Sequence, residues 1–274
     1  MKTDVPTSMY LAFDALFVAM FLTIAGPPAA ALVAVHQRLD LPPTLQALLF
    51  PLGALLYLVG LCAMAWLVRN LLPKLEAGIY AVPKDRGVIV WLLHFALMRV
   101  MYLPVWRPLM FSTTTLRTLM LRALGARVAF GFQSSSDPVL LDPSLIAVER
   151  DAQISAGVVI ACHAAMGRTL TLAPVRIGRG AQLLESVKVG PGVFVGDGSI
   201  VGAECLVGPG CTIGGAARLG PGCWLHSDVQ IGDAARIGHG VTIDRGVIVG
   251  ARAKIASGAT LEVGTVVAAG GSYP

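Results

Sequence analysis

The apolar positions of this chain follow two different rules, one before about residue 70 and another after about residue 140. In the first part they have no period. Two runs, Met9 to Val35 and Leu45 to Val68, are apolar on every side, and between Val5 and Val68 only Asp14, Arg38 and Asp40 are charged. As helices, each is long enough to cross a hydrocarbon core of about 30 Å at about 1.5 Å per residue. The intervening HQRLDLPP predicts a tight turn, and hence a transmembrane helical hairpin over residues 1–75. Pro27, Pro28 and Pro51 predict kinks, which membrane helices tolerate better than soluble ones. A secretory signal peptide fits the first run less well, because no small-residue cleavage site separates it from the second.

In the second part the period is six. From Ile177 the chain divides without an insertion into IGRGAQ, LLESVK, VGPGVF, VGDGSI, VGAECL, VGPGCT and so on to LEVGTV, fifteen hexads in all. Every first position is Ile, Leu or Val, and every fifth is Ala, Val, Ser, Cys or Thr. Six matches neither an α-helix nor a free-standing hairpin; it is the period of a stacked parallel β-helix. Large first and small fifth side chains plug a narrow axis, while Pro-Gly and Asp-Gly pairs at positions three and four turn the corners with positive φ. Three hexads close one triangular coil, so residues eighteen apart stack on one side at about 4.8 Å. Upstream the repeat is less regular: VERDAQ, ISAGVV, IACHAA, MGRTLT and then a five-residue LAPVR. The lost residue predicts a distorted or projecting corner between His163 and Pro174.

Between the two parts, RGVIVWLLHFALMRVMYLPVWRPLMF (86–111) is apolar but interrupted by Arg99 and Arg107 and dotted with Trp and Tyr. It predicts one or two helices lying in the membrane interface within a linker region, 76–130, ahead of a β-helix domain over 131–274. The fold class expected is therefore an N-terminal membrane α-helical hairpin with interfacial helices, followed by an all-β, left-handed parallel β-helix.

Composition supports that division. Charged residues make up 14% and apolar residues 55%, with a mean hydropathy of +0.72, which is too apolar for an ordinary soluble domain. Arg69, Lys74, Lys84, Arg86 and the arginines at 99, 107, 117, 122 and 127 follow the second run and predict a cytoplasmic C-terminal part at a bacterial-type inner membrane. The net charge of +5 suits anionic lipid. It forms no aromatic-interleaved patch, so nucleic acid is not expected as a partner. The five cysteines show no disulfide framework; Cys62 lies in an apolar run, and Cys205, Cys211 and Cys223 fill fifth positions.

These uninterrupted hexads resemble the left-handed β-helix of hexapeptide-repeat acyltransferases over about residues 142–270. KLEAGIYAVP, TLRTLMLRALGARV and HAAMGRTLTLAPVRIGRGA further resemble the membrane-embedded C-terminal region of ε-poly-lysine synthetase-type nonribosomal peptide synthetases. The chain departs from that second pattern where acidic residues are expected just after the histidine and Ala164, Ala165 and Met166 stand instead. The first resemblance implies a homotrimer with sites in the grooves between prisms, an acyl-CoA donor (acetyl-CoA in the simplest case), no metal, and a histidine general base. The second implies aminoacyl thioesters delivered by a carrier protein.

A histidine suits the task because its ordinary pKa near 6.5 lets it take a proton at neutral pH. His36, between the runs, and His94, in the interfacial belt, read as structural. His163, His226 and His239 occupy outward or corner slots and remain three candidates for the base; by hexad count they fall on three different prism sides. That spread disfavours a zinc site built from them. Cys162 beside His163 offers an acyl-enzyme alternative. Arg218, Arg236 and Lys254 are eighteen apart and predict a stacked column of like charge, which invites an anion such as the phosphates of coenzyme A or the acids of a neighbouring copy. The same count puts IACHAA on that side of the prism. Asp14 is either a functional membrane carboxylate or a residue near enough to the interface to meet water. The acceptor is a hydroxyl or amine at the membrane, or is membrane-linked; a non-catalytic membrane scaffold is the competing class.

Overall fold

The computed structural model describes residues 7–39, 41–135 and 137–274. Asp40 of the predicted turn lies outside them. The chain forms two compact units, one from the residues before Glu76 together with Arg86–Gly125, the other from Glu76–Asp85 and Ala126–Pro274.

In the first unit the aperiodic apolar runs become α1 (Thr7–Leu39) and α2 (Pro43–Leu71). Each contains 29 residues long and apolar enough to cross a membrane. Both helices continue through their prolines instead of ending at them. The α1–α2 approach depends on a missing side chain: a Cβ on Gly60 would lie 2.9 Å from Cβ of Pro28. The belt becomes α3 (Arg86–Met101) and α4 (Arg107–Ser112), and α5 (Thr114–Ala123) follows it. Thr113 caps α5 by accepting the Leu116 N–H at 3.2 Å. His94 contacts the Pro73 carbonyl through Nε2 at 2.9 Å, tying α3 to the chain that leaves α2.

The second unit is a β-solenoid of three parallel sheets with 8, 8 and 7 strands, in keeping with the left-handed β-helix expected. The chain visits sheet I, then II, then III. Sheet I runs from Arg127–Val128 to Val266–Val267, sheet II from Gln133–Ser134 to Ser272–Tyr273, and sheet III from Val139–Leu141 to Thr260–Leu261. The period of six sets the register: Phe194 stacks on Thr212, and Leu206 on Trp224, eighteen residues on. All fifteen first-position aliphatics point inward and none is more than 4% exposed. Each such side chain contributes about 1.5–3 kcal/mol of burial. All fifteen fourth positions have φ between 54° and 85°, including the non-glycines Ser186, Glu204, Ala216, Asp228, Ala234 and Arg252. The corner geometry therefore overrides the local preference of L-residues at those six positions.

Two parts of the register reading require correction. The strand beginning the IACHAA hexad (Val159–Ala161) belongs to sheet III, stacked on Lys188–Val189. Arg218, Arg236 and Lys254 do stack on one another, but in sheet II. The count fails because the chain leaves the prism at residue 163: MGRTLT builds no coil and instead helps form an antiparallel hairpin of His163–Met166 and Thr169–Leu172. This is the projecting corner that the short LAPVR segment predicts.

Ala234→Gly should raise the solenoid's stability by about 0.5–1 kcal/mol, because it relieves a positive-φ alanine. Gly202→Ala should lower it, since a Cβ there would lie 2.5 Å from the carbonyl carbon of Gly220. Paired thermal melts followed by β-sheet circular dichroism check both signs.

Candidate active site

The corner between sheets III and I brings a histidine and a buried carboxylate together. In one coil the chain leaves Val139–Leu141, turns at Asp142 and re-enters sheet I at Ile146–Val148. Asp142 takes the left-handed conformation, with φ 59° and ψ 59°, a region Asp visits more easily than most residues. Its carbonyl accepts the Leu145 N–H at 2.9 Å, closing a short 3-10 turn over Pro143–Leu145. This folds the carboxylate inward, and its side chain is only 2% exposed.

One coil on, Leu140 stacks on Ile160 and Leu141 on Ala161, so the next corner rises directly over Asp142. There Cys162 is buried in the core, and the hairpin departs at His163 and returns at Ala173, whose N–H donates to the Cys162 carbonyl at 2.9 Å. His163 reaches back so that its Nδ1 lies 2.6 Å from Asp142 Oδ2. The imidazole itself is partly exposed, with 20% of its side chain accessible. A carboxylate on Nδ1 favours the tautomer with its proton there, which makes Nε2 the basic nitrogen of the ring.

The remaining sequence candidates separate clearly. His226 lies on the same III–I edge, three coils further along at about 4.8 Å each. His239 follows Arg236–Ile237 and so belongs to the II–III edge. The expectation of three different prism sides is therefore wrong for His163 and His226, again because of the inserted hairpin. His226 stacks on Trp224 with ring centroids 5.1 Å apart, and its Nε2 stands 3.7 Å from Asp244. His239 Nδ1 contacts the Ser257 hydroxyl at 2.8 Å on an exposed corner. Neither has a buried carboxylate. Arg218, Arg236 and Lys254 occupy sheet II, the one side of the prism that does not border the dyad's edge. Among the described residues no group of three His, Cys, Asp or Glu converges to hold a metal ion.

Cys162 is unsuited to nucleophilic work. Burial, and then the nearby Asp142 charge, push its thiol up, so it stays protonated at neutral pH. Burial likewise raises the Cys211 thiol to about 11.

Asp142, the buried partner of His163, is the candidate site residue that the sequence reading misses. The signal available was stacking: an acid at a corner about one coil before a candidate histidine, displaced from a spacing of eighteen to twenty-one by irregular corners. A second unforeseen neighbour is Gly78–Ala81, which lies in the expected linker but pairs as a strand with Thr169–Leu172.

Residues 228–262 match the family model described as bacterial transferase hexapeptide (six repeats). No curated protein sequence matches the chain. Among solved structures, the UDP-N-acetylglucosamine O-acyltransferase of Moraxella catarrhalis is similar at 12% identity and a TM-score of 0.37, with 53% of this chain and 65% of that one covered. The chain thus spans somewhat less than two thirds of that protein's length. A hexapeptide transferase family protein from Anaplasma phagocytophilum is similar at 18% identity and a TM-score of 0.27, with 53% and 75% covered. A point mutant of the perosamine N-acetyltransferase from Caulobacter crescentus, solved with CoA and GDP-perosamine, gives 18%, 0.29, 60% and 70%.

At pH 8, a thiol reagent should leave Cys162 and Cys211 of the native protein unmodified and label them only after denaturation. Their raised thiols are protonated and buried at that pH, and peptide mapping of the labelled sites reads the outcome.

Proposed function

We propose that this hexapeptide-repeat chain is a membrane-anchored acyltransferase that moves an acyl group, most simply acetyl, from a coenzyme A thioester to a hydroxyl or amine, with His163 as general base. The observation that carries this reading is the 2.6 Å contact between His163 Nδ1 and the buried carboxylate of Asp142. A base needs a fixed tautomer and a fixed direction, and of the three histidine candidates only His163 has both from a buried partner.

The chemistry follows from that geometry. Nε2 of His163 takes the proton of the acceptor O–H or N–H as that oxygen or nitrogen attacks the thioester carbonyl. Asp142 stabilises the resulting imidazolium through Nδ1–H. Collapse of the tetrahedral intermediate breaks the C–S bond, and the departing thiolate recovers the proton from Nε2. Ester or amide and free thiol are the products, and His163 returns to its neutral form. The active protein in this reading is a homotrimer, with α1 and α2 as its bilayer anchor and the solenoid on the cytoplasmic side. The sheet II column of Arg218, Arg236 and Lys254 then meets donor phosphates at a dyad only if a neighbouring copy supplies it.

The test is release of free coenzyme A from acetyl-CoA by detergent-solubilised protein in the presence of hydroxyl- and amine-bearing membrane lipids. His163→Ala should lower turnover by about 10²–10⁴-fold, the usual worth of a general base, and Asp142→Asn by at least about 10²-fold. His226→Ala and His239→Ala should keep wild-type turnover. Full activity in His163→Ala would overturn the assignment, and turnover confined to aminoacyl thioesters on a carrier protein would replace the donor.

A further inference from the structure

The hairpin that begins at His163 is ordered by a strand from far away in the chain. Among the described residues its two strands pair only with each other and with Gly78–Ala81, in the order Gly78–Ala81, Thr169–Leu172, His163–Met166. Gly78, Leu172 and His163 form one row across this sheet. At its base the hairpin is fastened by the Ala173–Cys162 hydrogen bond, and at its tip by Thr169 Oγ1 donating to the Met166 carbonyl at 2.9 Å. A two-stranded hairpin projecting from a core is marginal in water, whereas a third strand makes such a sheet self-supporting. That third strand comes from the ten residues between α2 and α3 that join the solenoid unit, Glu76–Asp85. Its closure is secured further by Val82 N–H donating to the Arg168 carbonyl at 2.8 Å and Tyr80 O–H donating to the Glu76 carbonyl at 3.0 Å.

We propose that the strand Gly78–Ala81 is a positioning element for His163: by ordering the hairpin, the segment joining α2 to α3 sets whether the imidazole meets Asp142. The inference rests on the reading of His163 as base and adds that the site is complete only while the inter-helix linker is docked. Activity is thereby coupled to the part of the chain that carries the apolar helices.

Strand alternation provides a sharp test. Val82 N–H points at the return strand, and Ala81 N–H points away, donating to Asp85 Oδ2 at 2.6 Å. Tyr80 N–H therefore faces the return strand opposite Leu170, and Ile79 N–H faces outward. Proline is tolerated where the lost N–H faces away from the ladder and not where it faces in. Tyr80→Pro should lower kcat about 10²-fold, the order of loss expected when a reacting group is misplaced by an ångström, with donor KM unchanged. Ile79→Pro should keep wild-type kcat. Hydrogen exchange should show the amides of 163–172 deprotected in Tyr80→Pro while the solenoid amides stay protected. If Tyr80→Pro does not accumulate, Tyr80→Gly, which keeps the N–H but weakens the strand, should give smaller changes in the same direction. Wild-type protection of 163–172 and wild-type kcat in the Tyr80 variants would overturn the proposal, as would equal losses in Ile79→Pro. If the wild type transfers no acyl group the proposed activity fails, yet the exchange pattern still decides whether this strand orders the hairpin.

Discussion

Coils of this solenoid stack at the spacing of neighbouring β-strands, about 4.8 Å, and everything else in the second unit depends on keeping that spacing. It holds only where each coil presents a large aliphatic and a small side chain to the axis and turns its corners with positive φ. The buried column from Ile177 to Leu261 and the fifteen left-handed fourth positions are two expressions of this one constraint. The free energy gained from the column is large enough for the chain to accept alanine, glutamate and arginine at corners where glycine would be easier.

A stack this regular also brings together residues distant in sequence. Asp142 and His163 meet because two successive corners lie one above the other, and because the second corner opens into a hairpin that lets the imidazole turn back. The dyad is thus built on rigid elements, with the acid locked in a turn of the core and the histidine at the root of an extension. An ideal prism offers a corner only a few outward atoms; the interruption makes room for an oriented side chain. Ala164, Ala165 and Met166 follow His163 in the chain, and the carboxylate that meets it comes from the coil before.

The interruption carries a cost of its own, since a projecting pair of strands buries little. The linker between α2 and α3 offsets that cost by adding a strand, and in doing so it leaves the helical unit and joins the solenoid. A segment that reads as a connector is therefore a strand of the second unit: it runs covalently from α2 to α3 and is hydrogen-bonded to the hairpin that begins at His163.

Much of this was legible in the linear chain. Aperiodic apolar runs give the long helices α1 and α2, and the period of six gives the coils because burial at the axis repeats every hexad. The lost residue in LAPVR marks the place where the prism opens. None of these needs more than local pattern. The sheet assignments downstream of residue 163, the pairing of Asp142 with His163 and the docking of Gly78–Ala81 could not be read that way. Each depends on how many residues leave the stack before it resumes and on which distant strand covers the exposed edge. Hydrogen bonds between remote segments settle those questions, and no periodicity within either segment records them.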